Sequence, residues 1–294
     1  MADTPEEGRA ELLRALAAWC AAATPPTSPI AAALGLAPLS REDHTSVFLL
    51  TLPPYAPIHL GPPGKLGGQG TEAVAGFFRA LELPVPAEPD HLATLLGLAA
   101  HLADAERTCR TDGARRRLHH ARAALFGEHL ACWIPGYLTA VEAHGAAAGW
   151  ARLTRTVLAA ERAALGGDAV GTTRLPRALL DAPAPLSVAD GLPDLLDALV
   201  APVRAGFILT REDLVAIARA AGAGLRHGER RFLLSSLLEQ SPAKTLASLA
   251  RHARAAADRH VAGAGLSGAT TARWWTTRAR HTAGVLEALA ARTS

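Results

Sequence analysis

AEPDHLATLLGLAAHLA, residues 87–103, sets the architecture of this chain. From Leu92 to Ala103 the run is almost wholly apolar. At about 100° per residue, Leu92, Leu95, Leu96, Ala99, Leu102 and Ala103 fall within one face about 120° wide. That is the period of an amphipathic helix, not of a strand. The residues before the run suit a helix start. Pro89 at the first helical position needs no N–H partner, and Asp90 in the first turn complements the positive end of the helix dipole. His91 fits this account less well, because a helix N-terminus disfavours imidazolium. A neutral ring there, at the rim of the apolar face, can donate to or accept from a bound peptide backbone.

The same period recurs along the chain. Of its 294 residues 49% are apolar and only 4% aromatic, with 26 glycines and 20 prolines. Ala and Leu dominate, which favours helices, and the prolines and glycines cut them short. Helices are expected at 5–23, 29–36, 71–82, 89–108, 112–126, 128–144, 146–165, 187–203, 211–223, 228–239, 242–260 and 268–291. Thr210 with Asp213 is a capping-box-like start, and Pro135 must kink a helix or begin one. TSVFLLTLPPYAPIHLGPPGKLGGQG (45–70) reads as a long ordered Pro/Gly-rich loop, of a kind that often carries function. TSVFLLTL (45–52) is the sole strand candidate. The fold class is therefore all-α, a multi-helix bundle with one long Pro/Gly-rich ordered loop and a helical C-terminal extension. The expected organisation is a helical core over 1–165, a linker over 166–186 and the extension over 187–294.

Charge divides the chain. Residues 1–150 hold 11 Lys/Arg against 15 Asp/Glu, and residues 151–294 hold 19 against 12. The acidic half suits a basic partner. The basic half allows a DNA-binding reading, a helix-turn-helix at LTREDLVAIARAAGAGLRHGERRFLLSSLL (209–238). RRFLLSSLL is too apolar for a groove-reading face, which weighs against nucleic acid. Three cysteines, Cys20, Cys109 and Cys132, lack CxxC spacing and read as buried free thiols in apolar helices. The start, MADTPEEGRAELL, is acidic and lacks a secretory apolar region. No apolar run is long enough for a membrane span. These features imply a cytoplasmic protein.

Twelve histidines invite a metalloenzyme reading, yet no HxxxH or HExxH pair occurs. GPPGKLGGQG (61–70) lacks the Lys-Ser/Thr of a phosphate loop, and no GxSxG nucleophile elbow is present. No catalytic residue, metal ligand or cofactor site is expected.

Three segments in fixed order carry a resemblance: PPYAPIHLGPPGKLGGQGTEAVAGFFRALEL (53–83), EPDHLATLLGLAAHLA (88–103) and LFGEHLACWIPGYLTAVEAHG (125–145). Together they resemble the TorD/DmsD/NarJ family of redox-enzyme maturation chaperones over about residues 40–165. The matching positions are Tyr55, Leu60 and Gly61, then Glu88, Pro89, Asp90 and His91, then Phe126, His129, Leu130, Trp133 and Pro135. The resemblance implies an all-helical binding protein and not an enzyme. Its partner would be the apo catalytic subunit of a molybdenum-cofactor oxidoreductase, of formate dehydrogenase, nitrate reductase or sulfoxide/N-oxide reductase type. It would hold that subunit for cofactor insertion and delay its export, through a twin-arginine leader or the enzyme body. The implied client-binding residues are Tyr55, Glu88, Pro89, Asp90, His91, Phe126, His129 and Trp133. A leader offers guanidinium groups and then an apolar segment, which carboxylates and an aromatic-edged groove would meet. Helix exchange across the linker would also permit a homodimer.

Overall fold

A computed structural model describes residues 5–21, 27–62, 66–167 and 174–293. These form α1 (Pro5–Ala21), α2 (Thr27–Ala33), α3 (Arg41–His44), a π-helical segment π1 (Thr45–Thr51), α4 (Ala56–Leu60), α5 (Gln69–Ala80) and α6 (Leu92–Thr108). There follow α7 (Asp112–Ala124), a second π-helical segment π2 (Leu125–Leu130), α8 (Ile134–Ala143), α9 (Ala148–Ala164) and α10 (Arg177–Leu180). The rest is α11 (Leu192–Val200), α12 (Pro202–Ala205), α13 (Arg211–Ala221), α14 (Arg230–Gln240), α15 (Pro242–Ala262), α16 (Ala264–Ser267) and α17 (Ala269–Thr293). The chain is an all-α bundle, as the apolar periodicity requires.

Two apolar cores organise the bundle. In the first, α6 packs against α1 and α7. It buries its expected face, apart from the half-buried Ala103, and also Leu98 and Ala100, so it is covered on more sides than one stripe predicts. A fully buried leucine contributes about 1.5–3 kcal/mol. Leu92, Leu95 and Leu96 therefore anchor this half far more than its polar first turn does. Trp19 stacks on Trp150 at 5.6 Å, and Phe48 meets both edge-on. The second core is built from α11, α13, α14, α15 and α17, with α15 and α17 running side by side. The two halves interlock, since Val203, Leu266 and Trp275 belong to the first core. The buried Arg162 of α9 donates to the Gly265 carbonyl at 2.8 Å. At the end of α12, Gly206 has φ +83°, and a Cβ there would stand 2.3 Å from the Ala279 nitrogen of α17.

Several expectations need correction. Residues 45–51 form neither loop nor strand but π-helix, ended by Pro53 and Pro54, which cannot donate to a helical ladder. Pro57 sits in the first turn of α4, where its missing N–H costs nothing. The long loop thus shrinks to short connections, with residues 63–65 outside the described residues. The single helices expected around 112–144 divide into α7, π2 and α8, with Pro135 in the first turn of α8. The expected 187–203 helix divides into α11 and α12 at Pro202. Cys20 and Cys132 are buried thiols, whereas Cys109 caps the end of α6 and is only half-buried. The capping box at Thr210 and Asp213 is present with both bonds. Of the expected linker, residues 168–173 lie outside the described residues. The remainder carries α10 and buries Leu179 and Leu186. Residues 222–229 separate α13 from α14, too many for the short turn of a helix-turn-helix. Moreover, α14 turns Leu233, Leu234 and Leu237 into the core. Among the described residues no helix is long and apolar enough to cross a membrane.

Candidate functional site

The turn at residues 88–91 is pinned to the segment before α4. Leu92 donates its N–H to the Pro54 carbonyl at 2.8 Å, and Ala56 donates to the Asp90 carbonyl at 3.3 Å. These bonds form an isolated antiparallel bridge between Tyr55 and His91. The two rings meet edge-to-face at 4.7 Å. The Tyr55 hydroxyl donates to Glu88 Oε1 at 2.7 Å. Pro89 and Asp90 are buried. The Thr71 hydroxyl of α5 donates to Asp90 Oδ2 at 2.8 Å, so Asp90 ties three segments together.

The helix begins three residues later than its proline suggests. α6 starts at Leu92, and His91 is its N-cap in extended conformation. Pro89 and Asp90 precede the helix and are not in its first turn. The His91 Nδ1 accepts from the Ala93 N–H at 3.1 Å, the bond that Ser or Asp ordinarily accepts at this position. Only a neutral imidazole can accept there. Burial keeps it neutral by holding the His91 pKa below its ordinary value, against the opposing charges of Glu88 and Asp90. Burial, then the neighbouring Glu88, pushes the Tyr55 phenol up to about 12. Glu88 is exposed, and of this turn's two carboxylates it is the one that solvent reaches.

The remaining expected residues form a second group. Phe126 is buried in π2. Trp133 does not share a continuous helix with His129, although both fall within the helix expected at 128–144. It lies beyond π2 and caps α8, and its indole N–H donates to the His129 carbonyl at 2.9 Å. The His129 ring lies 5.2 Å from that of Phe77. The buried His59 stacks on Trp133 at 5.0 Å with the planes 8° apart, and it meets Tyr137 edge-on. Burial depresses His59 to about 4.

The two groups meet through α4, whose N-cap is Tyr55 and which carries His59. Sequence reading missed His59 and Thr71. Neither has a local signal, since their partners are distant in the chain. Trp133 and His59 also line a cavity of about 310 Å³ whose other wall is the C-terminal half. Among the described residues no group of three or more His, Cys, Asp or Glu could hold a metal ion.

Residues 6–138 match the family described as nitrate reductase delta subunit. That family of redox-enzyme maturation chaperones belongs to the TorD/DmsD/NarJ group. The match takes in Tyr55, the 88–91 turn, Phe126, His129 and Trp133, and it ends within α8. No curated protein and no solved structure matches the chain.

Proposed function

We propose, on the premise that residues 6–138 fall in a family of molybdoenzyme maturation chaperones, that this protein binds the immature catalytic subunit of a molybdenum-cofactor oxidoreductase. It holds that subunit for cofactor insertion in the cytoplasm and delays its export, engaging a twin-arginine leader or the enzyme body. Residues 1–165 act as the chaperone core and 187–294 as a helical extension packed against it, with 166–186 as the connection between them. The family match carries this reading. The geometry of the 88–91 turn supports it, because the exposed Glu88 carboxylate is presented beside a tyrosine on a rigid platform. A guanidinium group pairs best with such a carboxylate. Pro89, Asp90 and His91 position this platform, Tyr55, Glu88 and His129 supply its aromatic and acidic surface, and the buried Phe126 and Trp133 support it from beneath.

The test is capture of partners from the native cytoplasm by tagged protein, read by mass spectrometry. The wild type is expected to enrich one molybdenum-dependent catalytic subunit. Glu88→Gln should reduce that enrichment severalfold at unchanged melting temperature, while Glu82→Gln, at another exposed carboxylate, leaves it intact. Enrichment of DNA, or of no oxidoreductase, would sink the reading. Equal capture by wild type and Glu88→Gln would remove the turn from the interface.

A further inference from the structure

The 310 Å³ cavity lies between α4 and α8 on one side and α12, α13, α15 and α17 on the other. Its size suits a small ligand or one side chain of a partner. Trp133, Phe207 and Trp275 give it flat apolar walls.

The indole and hydroxyl donors of its lining are engaged elsewhere. The indole N–H of Trp133 donates to the His129 carbonyl, and that of Trp275 to the Cys132 carbonyl at 2.8 Å. The Thr139 hydroxyl donates to the Pro135 carbonyl, and that of Thr210 to Asp213. Ser267 donates to backbone carbonyls. Three imidazoles are fixed in the same way. Nε2 of His260 is 2.8 Å from the Gly206 carbonyl, Nε2 of His59 is 3.2 Å from that of Pro53, and Nε2 of His252 is 3.4 Å from that of Ile208. A carbonyl can only accept, so each Nε2 carries the proton and each Nδ1 is left as an acceptor.

Acceptors therefore prevail. Glu212 and Asp213 stand at the start of α13, with Glu212 3.7 Å from His144 Nε2 and Asp213 3.7 Å from His252 Nδ1. Neither nitrogen of His144 has a hydrogen-bond partner among the described residues. Burial keeps His252 and His260 neutral, so their Nδ1 atoms accept from a cation without repelling it, whereas the Nδ1 of His59 is itself buried. Arg259 is the opposing cation of the lining and is attracted to Asp213, which leaves Glu212 as the carboxylate not facing it.

We infer that this cleft binds a flat, donor-rich organic cation of the amidine or guanidine type, seated between the aromatic walls with its N–H groups toward Glu212, Asp213 and the imidazole acceptors. Stacking of such a cation on indole faces adds to the attraction. The inference stands on the cleft's own chemistry and not on the chaperone reading.

The full chain is titrated calorimetrically with three isosteres: benzamidine, neutral benzamide and anionic benzoate. Benzamidine is expected to bind saturably and at least tenfold more tightly than either of the others. Glu212→Gln, on the exposed side of α13, should weaken it about tenfold, and Ala140→Leu, which fills the cleft, should abolish it. Melting curves establish that both variants fold. A blocked Gly-Arg-Gly peptide and its citrulline counterpart then separate the sources. Competition by the arginine peptide alone assigns the site to a partner's arginine, and failure to compete assigns it to a free small molecule. No saturable benzamidine binding, equal binding of all three isosteres, or binding indifferent to both variants would overturn the inference.

Discussion

Tyr55 and Glu88, 33 positions apart, are joined by a 2.7 Å hydrogen bond from phenol to carboxylate. The bond faces solvent and joins the segment entering α4 to the turn entering α6. The contact costs the molecule one ionisation: while Glu88 is charged, the Tyr55 phenolate is disfavoured.

That coupling can be read directly. In a Tyr137→Phe background, near-ultraviolet titration should place Tyr55 ionisation near 12. Glu88→Gln should lower it, though not to the ordinary value, because burial is the larger cause. An unchanged titration would mean that the bond is not formed in solution.

The His91 cap makes a second prediction. His91→Ala removes the acceptor for the Ala93 N–H and should cost about 1 kcal/mol in chemical denaturation. His91→Asn, whose side-chain oxygen can accept the same bond, should recover most of that loss. If Asn and Ala are equally destabilised, the imidazole contributes through its contact with Tyr55 instead.

His59 predicts a pH dependence. Its folded pKa of about 4 lies below the ordinary 6.5, so between those values the unfolded chain binds the proton and the folded one does not. The contribution of His59 is intact above pH 6.5 and is lost as pH falls toward 4. It amounts to roughly 3 kcal/mol. Denaturation midpoints measured across this window should fall steeply for the wild type and less steeply for His59→Phe. Parallel curves would show that His59 is already solvated in the native state.

How much of this was legible in the sequence follows from the range of each interaction. Thr210 and Asp213 are three residues apart, and Pro135 acts on its own turn, so both were readable. The apolar face of α6 was readable because its period is local. The bridge between Tyr55 and His91 was not, because it pairs segments separated by the whole of α5. Pro89 misled for a related reason. Alone it marks a helix start, but the Pro54 carbonyl claims the Leu92 N–H and keeps the turn extended. The π-helical segments left no trace, since an i→i+5 ladder uses the same apolar residues as an α-helix and differs only in backbone register. The cleft was illegible in the same way. Its histidines come from α4, the C-cap of α8 and α15, and share no spacing.

Gly206 has a mechanical consequence. At most helix crossings side chains stand between the two backbones and can yield by changing rotamer. Where α12 meets α17, backbone rests on backbone, with no room for even a methyl group. His260 is hydrogen-bonded to this glycine's carbonyl, so one wall of the cleft is fastened to the tightest point of the junction. That junction has no slack to yield, so a side chain placed at Gly206 must push α12 away from α17 and carry the His260 wall of the cleft with it.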